Sequence, residues 1–404
     1  MSARLKRFRV LYAVCCLLVL ILPCSVTGQV TLEITRQAIP RIPIYLILPE
    51  KLPEFSAVLT RDLERSSYFE PRRVADAGEA PGQVLLTVEP VTDGVDAKLF
   101  SSQNDSVPAF HQVFVSQPFN ERILAHTAAK EIIERLTGYP AITLTRMAAS
   151  QKRGNDREII LMDYDGVNSH PLTQDKSINL YPRFSPDRRS VIYTSFVHYW
   201  PRVFRQEIAG GKRQVLAAYP GLNSSATFSP EGRYVALSLS KDGNPEIYLL
   251  ELRTGKLNRL TRHPSADTSP VFFPDGKSLL FVSDRAGGPQ IYRLYLNTLS
   301  EKRLTFEGSY NTSPAISPDS RFMAYTSRMG GRNEIRLVVL ETGQDVVLTG
   351  GSGNKEDPSF GPDSRHIVFV HISNHQSNLK VLDIFSREEY IITQDGGYAT
   401  PDWR

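Results

Sequence analysis

The chain repeats itself every 44 residues from about residue 141 to its end. Three apolar columns keep this period. The first column is Phe184, Phe228, Phe272, Ile316, Phe360 and, one residue early, Trp403. The second is Ile159, Val203, Ile247, Ile291, Ile335 and Leu379, and the third is Leu172, Leu216, Leu260, Leu304, Leu348 and Ile392. A fixed period of this length indicates stacked supersecondary units rather than one irregular core. Because each unit consists of strands and turns, we expect a β-propeller.

The third full repeat shows which segments form the strands. A short strand at 269–272 leads into the turn sequence at 273–276, Phe-Pro-Asp-Gly. A second strand is expected at 277–283, and further strands at 290–296 and 302–305. A four-stranded sheet of this size cannot bury both faces by itself. Packing sheet against sheet around an axis buries them and leaves only short edges.

The two ends of the repeat region complement each other. Residues 142–150, 158–163 and 171–173 match the second, third and fourth strands of a unit that lacks its first strand. Residues 398–404 match a first strand with nothing after it. Residues 141–404 also amount to six periods of 44. We therefore predict a propeller of six blades, each of four antiparallel strands, with one blade closed by both ends of the domain.

Residues 29–140 do not carry the period and are expected to form a small α/β domain. Residues 30–34 alternate apolar and polar side chains as a half-buried strand does. Other predicted strands are 42–48, 84–88 and 97–100, and the predicted helices are 55–63 and 123–136. The second helix has Leu124, Ala128, Ile132 and Leu136 on one side, and Gly138 follows at the position of a left-handed C-terminal cap.

The first 28 residues have the layout of a secretory signal peptide. A stretch with four cations and no acid is followed by an apolar run at 10–22 and then by Pro23 and small residues. The run is shorter than the roughly 20 residues of a membrane-spanning helix. A membrane anchor and a lipoprotein site at Cys24 are the alternatives. The whole chain has a net charge of +4, so residues 29–404 are neutral, and no broad nucleic-acid-binding face is expected.

The three cysteines, Cys15, Cys16 and Cys24, all lie in the predicted signal. After cleavage no disulfide, thiolate metal site or cysteine nucleophile would remain. No G-x-S-x-G motif occurs. His371 and His375 form an H-x-x-x-H pair without an intervening glutamate, and the period places both in a hairpin loop. We predict neither an enzyme nor a bound cofactor or metal.

Aspartates recur in the turns after the first strands, at Asp187, Asp275, Asp319 and Asp363. Acidic residues at regular spacing could indicate a metal or glycosidase site. Each of these four follows a proline in a recurring turn, so we interpret them as structural. Two alternatives to a protein-binding function stay open: a propeller from an exported peptidase or glycosidase, and a propeller that binds a small molecule or an ion in its channel.

The loops that lead into the first strands are the main candidate binding surface. The first strand lines the channel, so these loops converge on one mouth, and their short polar side chains suit hydrogen bonding to a partner. Turn formation alone would explain the same residue types. The predicted partner-binding residues are Asn223, Ser225, Thr268, Ser269, Asn311, Thr312 and Glu356.

The segment that would follow signal cleavage is a second candidate. Chain ends are usually mobile, and an alternating strand can add to the sheet edge of another protein. An ordinary edge strand of the small domain is the alternative. The predicted partner segment is Gln29, Val30, Thr31, Leu32, Glu33 and Ile34.

The layout resembles the TolB family of periplasmic propeller proteins in the Tol-Pal system. In the repeats, Phe184-Ser185-Pro186-Asp187 and Ser283-Asp284-Arg285 fit this family. In the first domain, residues 62–69 resemble its first helix and the following turn, and residues 129–145 resemble its second helix and the start of the propeller. The resemblance implies a monomeric periplasmic binding protein that supports outer-membrane integrity and cell division.

The resemblance also implies two partners. The peptidoglycan-associated lipoprotein Pal would bind at the propeller mouth, where Thr268, two residues before Pro270, matches a Pal-contacting threonine of the family. TolA of the inner membrane would bind the N-terminal segment, with the protein only peripheral to the membrane. The chain departs from the family at Leu222, where some members have histidine, and at Gln37, Ala38 and Glu50 in or just after that segment.

Overall fold

The computed structural model describes residues 40–404, apart from residues 81 and 103. The predicted signal at 1–28, the predicted strand at 30–34 and the predicted partner segment Gln29–Ile34 lie outside the described residues. No helix among the described residues has the length and apolarity needed to cross a bilayer.

The first part of the described chain is a five-stranded sheet with two helices. The strands are β1 (Ile42–Ile47), β2 (Phe69–Arg73), β3 (Val84–Val91), β4 (Gly94–Phe100) and β5 (Phe110–Val115). Their order in the sheet is β2-β1-β3-β4-β5, and β1 runs parallel to both of its neighbours. A short 3-10 helix, Ala77–Glu79, lies between β2 and β3. The α/β character of this domain, predicted from sequence, is confirmed.

The two helices of this domain are α1 (Pro53–Arg65) and α2 (Glu121–Thr137). The side chain of Asn120 caps α2 by accepting a hydrogen bond from the backbone N–H of Ile123 at 2.9 Å. Gly138 ends α2 in the left-handed conformation, with φ of 75°. Leu124, Ala128 and Ile132 lie in the same hydrophobic core as the buried face of α1. Both predicted helices are therefore present, each a few residues longer than expected.

The remaining strands form six sheets of four. Blade one contains β9 to β12 (Asn179–Phe184, Ser190–His198, Trp200–Glu207, Arg213–Ala217), and blade two contains β13 to β16 (Asn223–Phe228, Tyr234–Leu239, Glu246–Glu251, Leu257–Arg259). Blade three contains β17 to β20 (Asp267–Phe272, Ser278–Ser283, Gln290–Tyr295, Glu301–Arg303). Blade four contains β21 to β24 (Asn311–Ile316, Phe322–Met329, Arg332–Val339, Asp345–Val347), and blade five contains β25 to β28 (Asn354–Phe360, His366–Ser373, Gln376–Asp383, Glu389–Ile391). The predicted propeller of six antiparallel blades is confirmed.

Blade six is closed by the two ends of the propeller. It consists of β29 (Tyr398–Trp403) followed in space by β6 (Arg146–Arg153), β7 (Asp156–Asp163) and β8 (His170–Pro171). Trp403 pairs with Met147 in this sheet, and its buried indole N–H donates a hydrogen bond to Thr145 at 2.8 Å. The predicted closure of one blade by head and tail is therefore present.

The apolar columns of the repeat bury their side chains between neighbouring blades. The second column is fully buried in all six blades. Ile247 of blade two, for example, lies in one hydrophobic cluster with Phe272 and Phe281 of blade three. The first column closes the inner end of each cluster, where Trp403 takes the place of a phenylalanine. Each blade thus completes the core of the next, as the 44-residue period requires.

The sequence analysis did not identify a polar column of threonines that lies next to these apolar residues. In blade two the hydroxyl of Thr261 accepts a hydrogen bond from the N–H of Ile247 at 2.9 Å and donates one to buried Glu246 at 2.6 Å. Blades three, four and six repeat this arrangement with Thr305 and Gln290, Thr349 and Glu334, and Thr173 and Glu158. The threonine satisfies a backbone N–H and a side-chain oxygen of glutamate or glutamine that burial would otherwise leave unpaired.

The recurring aspartates of the turns are bonded within those turns, as we interpreted them. The Asp187 carboxylate accepts hydrogen bonds from the Ser185 hydroxyl at 2.5 Å and from the N–H of Arg189 at 3.1 Å. Asp319 does the same with Ser317 and Arg321. These bonds hold a tight connection between the first and second strands of a blade.

The propeller has two faces, which we name by the direction of the first strands. The front face is the side where the first strands begin, and the back face is the side where they end. The α/β domain packs on the back face at blades five and six. Arg365 donates a hydrogen bond to the carbonyl of Ser67 at 3.1 Å, and Arg122 pairs with Asp165 at 2.7 Å. The front face carries the hairpins between second and third strands and the connectors between blades.

Candidate protein-binding site

The first strand of every blade contains a bulge near its front end. At each bulge one residue other than glycine has a positive φ, between 49° and 55°. The six residues are Tyr181, Ser225, Ser269, Ser313, Asp357 and Thr400. The pairing register shifts at the same points, for example between Thr268 and Val271 in blade three. Residues held in this region of φ cluster at functional sites, and bulges occur next to such sites.

These bulges correct one part of the sequence analysis. We predicted that residues 223–225, 267–269, 311–313 and 356–357 form loops leading into the first strands. The structure places them within the strands themselves, in β13, β17, β21 and β25. The prediction was wrong because serine, asparagine and aspartate tolerate positive φ in a bulge as well as in a turn. Bulges and turns therefore have a similar amino-acid composition.

The bulges also link neighbouring blades. The N–H of Ser269 in blade three donates a hydrogen bond to the Ser238 hydroxyl of blade two at 3.1 Å. The N–H of Asp357 in blade five donates one to the Thr326 hydroxyl of blade four at 3.0 Å. The inner surface of the ring is therefore held by hydrogen bonds between blades as well as by the apolar core.

The bulge residues line the narrow part of the central channel. Together with the following prolines, such as Pro270, they surround a constriction of about 40 Å³. The Asp357 carboxylate spans three blades there, accepting hydrogen bonds from the Ser313 hydroxyl at 2.7 Å and from the N–H of Thr400 at 3.3 Å. Burial raises the pKa of the nearby Tyr181 hydroxyl, and the Asp357 charge adds to this. The constriction is thus a rigid polar ring.

On the back-face side of the ring the channel widens to a cavity of about 240 Å³. Its wall includes prolines from the turns and the phenylalanines of the first column. Arg183, Asp402 and Arg404 are its charged residues. The cavity therefore combines apolar side chains with a few charged groups.

Two of the predicted partner-binding residues are buried inside the fold. The Asn223 amide donates a hydrogen bond to the carbonyl of Tyr219 at 2.7 Å and accepts one from the N–H of the same residue at 2.9 Å. The Asn311 amide donates to Glu307 and to Gln290 at 2.7 and 2.8 Å. Both side chains hold the connectors between blades, so we leave them out of the contact surface.

These two asparagines belong to a further column that the sequence analysis did not single out. Its members are Asn179, Asn223, Asp267, Asn311 and Lys355, spaced by 44 residues and all buried. Arg285 binds Asp267 at 2.8 Å, and the Lys355 ammonium contacts the carbonyls of Gly351 and Gly353 at 3.3 and 3.2 Å. Burial raises the pKa of Asp267, while Ser283 and Arg285 oppose the shift. The buried polar side chain at this position anchors a neighbouring loop, and the 44-residue period alone could have revealed the column.

The other five predicted residues lie at the front mouth and are partly accessible. Ser225 and Ser269 are bulge residues, whereas Thr268 and Thr312 each precede one. Glu356 accepts a hydrogen bond from Asn333 at 2.7 Å. Within the described part of the chain, no hydrogen bond to another residue engages the Thr268 hydroxyl. Of the five, Ser225 and Ser269 line the constriction, whereas Thr268, Thr312 and Glu356 lie near the front ends of their first strands.

The two histidines of the H-x-x-x-H pair are not equivalent. His371 lies within β26 and not in the hairpin loop, which corrects that prediction, and its ring contacts the carbonyl of Ser352 at 3.1 Å. His375 is on the hairpin turn with φ of 63°. In the described residues, no group of three or more His, Cys, Asp or Glu side chains is placed to hold a metal ion.

Comparison with known proteins agrees with this architecture. The family model of the TolB beta propeller domain matches residues 133–404, which is more than half of the chain. The chain belongs to the TolB β-propeller family. The crystal structure of TolB from Acinetobacter baumannii is similar with a TM-score of 0.80 and 25% identity, over 90% of this chain and 96% of that one. This likeness includes the α/β domain as well as the propeller.

Two further structures share the propeller fold. A protein provisionally assigned as TolB from Agrobacterium tumefaciens has a TM-score of 0.52 and 21% identity, over 63% of this chain and 91% of that one. A chain of the nidogen–laminin complex has a TM-score of 0.54 and 10% identity, over 64% of this chain and 98% of that one. At these identities the similarity concerns the fold alone.

Proposed function

We propose that this TolB-family protein is a binding component of a Tol-Pal-type assembly in the periplasm, with no catalytic role of its own. The observation that carries the proposal is the similarity to Acinetobacter TolB, which extends over both domains and nearly all of both chains. In this role the protein would support outer-membrane integrity and cell division. It would act as a monomer that is peripheral to the membrane.

The first proposed partner is a Pal-like lipoprotein, which docks on the front mouth of the channel. The contact residues would be Ser225, Thr268, Ser269, Thr312 and Glu356. The rigid ring behind them supports this location because a preorganised surface loses little conformational entropy on binding. Residues near the centre of such an interface usually dominate the affinity.

The second proposed partner is a TolA-like inner-membrane protein. It would bind the N-terminal segment from Gln29 to Ile34, which lies outside the described residues. This part of the proposal depends on the resemblance to the family and on the alternating sequence pattern, which suits addition to a sheet edge.

Replacing Thr268 by arginine tests the mouth. The long charged side chain would occupy the opening, so we expect the affinity for a Pal-like protein to fall about tenfold or more. Isothermal titration calorimetry with a purified Pal-like domain measures this change. Thr298→Arg is the matched control, because Thr298 is exposed in a turn on the back face of the same blade. Undiminished affinity in Thr268→Arg would contradict docking at this mouth.

A further inference from the structure

The hairpin between β10 and β11 presents two aromatic side chains to solvent. Tyr199 is 94% exposed and Trp200 is 73% exposed. The turn is tight, since the N–H of Tyr199 donates a hydrogen bond to the carbonyl of Phe196 at 2.8 Å. Tyr199 has φ of 67°. A bulky residue in this conformation is strained, and packing within the chain does not compensate for the strain.

The same turn position in the other blades has small or polar residues. Steps of 44 residues from Tyr199 lead to Gly243, Gly287, Gly331 and His375 in one direction and to Asn155 in the other. The three glycines have positive φ as well, and glycine adopts this conformation without strain. Blade one therefore departs from its own repeat by placing an aromatic pair where the fold favours glycine.

Cations lie on the same face of the propeller as this aromatic hairpin. The N–H of Phe196 donates to the carbonyl of Ile178 at 3.0 Å, and Arg157 of blade six pairs with Ile178 from the other side. The hairpin of blade six, the connector to blade one and the aromatic hairpin therefore form one continuous surface on the front face. Among the cations of these segments, Lys152, Arg153, Lys176 and Arg202 are at least partly exposed and form no ion pair within the described residues.

The neighbouring carboxylates are mostly engaged. Glu158 is buried and accepts hydrogen bonds from Thr173 and Asn179. Asp175 pairs with Arg213 at 2.5 Å, and Asp395 accepts a hydrogen bond from Gln151 at 2.7 Å. Asp395 keeps its charge, because Gln151 is neutral, and Asp156 on the blade-six hairpin has no ion pair within the described residues. The accessible charge around the aromatic hairpin is therefore mainly positive.

We propose that this surface binds an anionic lipid bilayer at the level of its headgroups. We call it the aromatic-basic patch, and it consists of Tyr199, Trp200, Lys152, Arg153, Lys176 and Arg202. Tryptophan and tyrosine prefer the interface between water and hydrocarbon, and nearby lysine and arginine are attracted to anionic headgroups. The proposal concerns a different surface from the channel mouth and goes beyond the protein binding proposed above.

Two features favour a lipid surface over a protein partner. The aromatic pair is on the tip of a hairpin, so the surface is convex. The headgroup layer of a bilayer can accommodate this protruding pair without a matching pocket. Two of the four cations are lysines, which are depleted in protein interfaces but suit a charged membrane surface.

The chain allows a specific spectroscopic test because it has two tryptophans. Trp403 is 1% exposed in the closed blade, so a change in fluorescence on adding vesicles reports on Trp200. Vesicles of phosphatidylcholine with phosphatidylglycerol, some with brominated acyl chains, are added to the full chain. We expect a blue shift, quenching by the brominated lipid, and weaker binding at high salt.

Co-sedimentation of variants with vesicles tests whether the aromatic-basic patch is the surface that binds lipid. We expect Tyr199→Ser with Trp200→Ser to lower the partition coefficient about tenfold or more. Lys152→Gln with Lys176→Gln should lower it by about fivefold for each cation. Phe306→Ser is the control for an exposed aromatic on the same face, and Lys256→Gln is the control for an exposed lysine on the back face. All variants contain the apolar run at 10–22, so a difference in vesicle binding between them does not come from this run.

The outcomes separate this proposal from the docking of a protein partner. Unchanged sedimentation of the double aromatic variant, or equal binding to vesicles of phosphatidylcholine alone, would overturn it. The same holds if the aromatic variant keeps its vesicle binding but loses affinity for the Pal-like protein, because the hairpin would then be a protein contact. Thr268→Arg should not weaken vesicle binding, so failure of one proposal does not imply failure of the other.

Discussion

Single residues with a positive φ determine the shape of the channel mouth. The ring of six bulge residues is strained, because a left-handed conformation costs residues other than glycine roughly 1–2 kcal/mol. Hydrogen bonds between blades hold this conformation in place, as at Ser269 and Asp357. The strain therefore coexists with a rigid ring and does not indicate flexibility.

Replacing Ser269 by valine tests this strain. A β-branched residue fits positive φ poorly, so we expect a loss of about 1–2 kcal/mol and a small decrease in melting temperature. Thr268→Val is the control, because Thr268 is the preceding residue and lies outside the positive-φ set. Thermal melting followed by circular dichroism compares the two variants. Equal melting temperatures would show that the bulge is not strained at this position.

Residue types predicted the mouth better than they predicted its conformation. The sequence placed Ser225, Thr268, Ser269, Thr312 and Glu356 on one side of a ring. In the structure all five lie near the front ends of first strands, and Ser225 and Ser269 line the constriction. Asn223 and Asn311 carry the same kind of side chain but face inward. Short polar residues occur equally well in bulges, in turns and as buried anchors. Whether such a residue is buried depends on the neighbouring connectors, which the sequence of one repeat does not predict.

At the scale of secondary-structure elements, the strands of the propeller were predictable and two strands of the α/β domain were not. The period places each propeller strand in several copies, so errors in one copy are corrected by the others. β2 (Phe69–Arg73) carries one glutamate, one proline and two arginines, and it is an edge strand. β5 is the other edge, with exposed Val113 and Val115. Edge strands need only one paired side, so their sequences show weaker alternation.

The last strand, β29, is the element on which closure depends. A chain shortened to end at Gln394 lacks β29 and leaves β6 without its inner partner. Because blade six would then expose the core around Met147, we expect a large decrease in melting temperature and rapid proteolysis within residues 146–171. Circular dichroism melting and limited trypsin digestion measure both effects.

The control for this shortened chain is Trp403→Phe in the full-length chain. It keeps the strand and removes one indole hydrogen bond to Thr145, so we expect a smaller effect. If the shortened chain melts like the full one, ring closure by β29 does not contribute to stability.

At the scale of the whole molecule, buried charges join the α/β domain to the propeller. Asp62 of α1 contacts His126 of α2 at 2.6 Å and accepts a hydrogen bond from Tyr164 of blade six. On blade five, His366 lies 2.5 Å from Asp363 and 3.2 Å from the Ser67 hydroxyl. These groups are buried and mutually paired, so breaking one of the contacts would leave a buried polar group without its partner.

The junction should therefore weaken in acid. Burial opposes ionisation of Asp383, but the neighbouring His366 and Arg365 and the N–H of Phe385 outweigh it and lower the pKa of this carboxyl. The pKa of Asp363 is lowered in the same way, against its burial, chiefly by His366. A carboxyl whose pKa is lower in the folded state stabilises the fold above its unfolded value of about 3.9, and this contribution is lost as the pH falls through the folded pKa.

Asp383→Asn measures this contribution. At neutral pH the variant leaves the buried Arg365 without its carboxylate partner at 2.7 Å, so we expect it to be less stable by about 2–4 kcal/mol. Below about pH 4 the parent protein begins to lose the same interaction, so the difference in melting temperature between the two should shrink. Glu341→Gln, at an exposed turn, is the control and should behave like the parent at every pH. A difference that stays constant from pH 7 to pH 3 would exclude Asp383 as the source of acid lability.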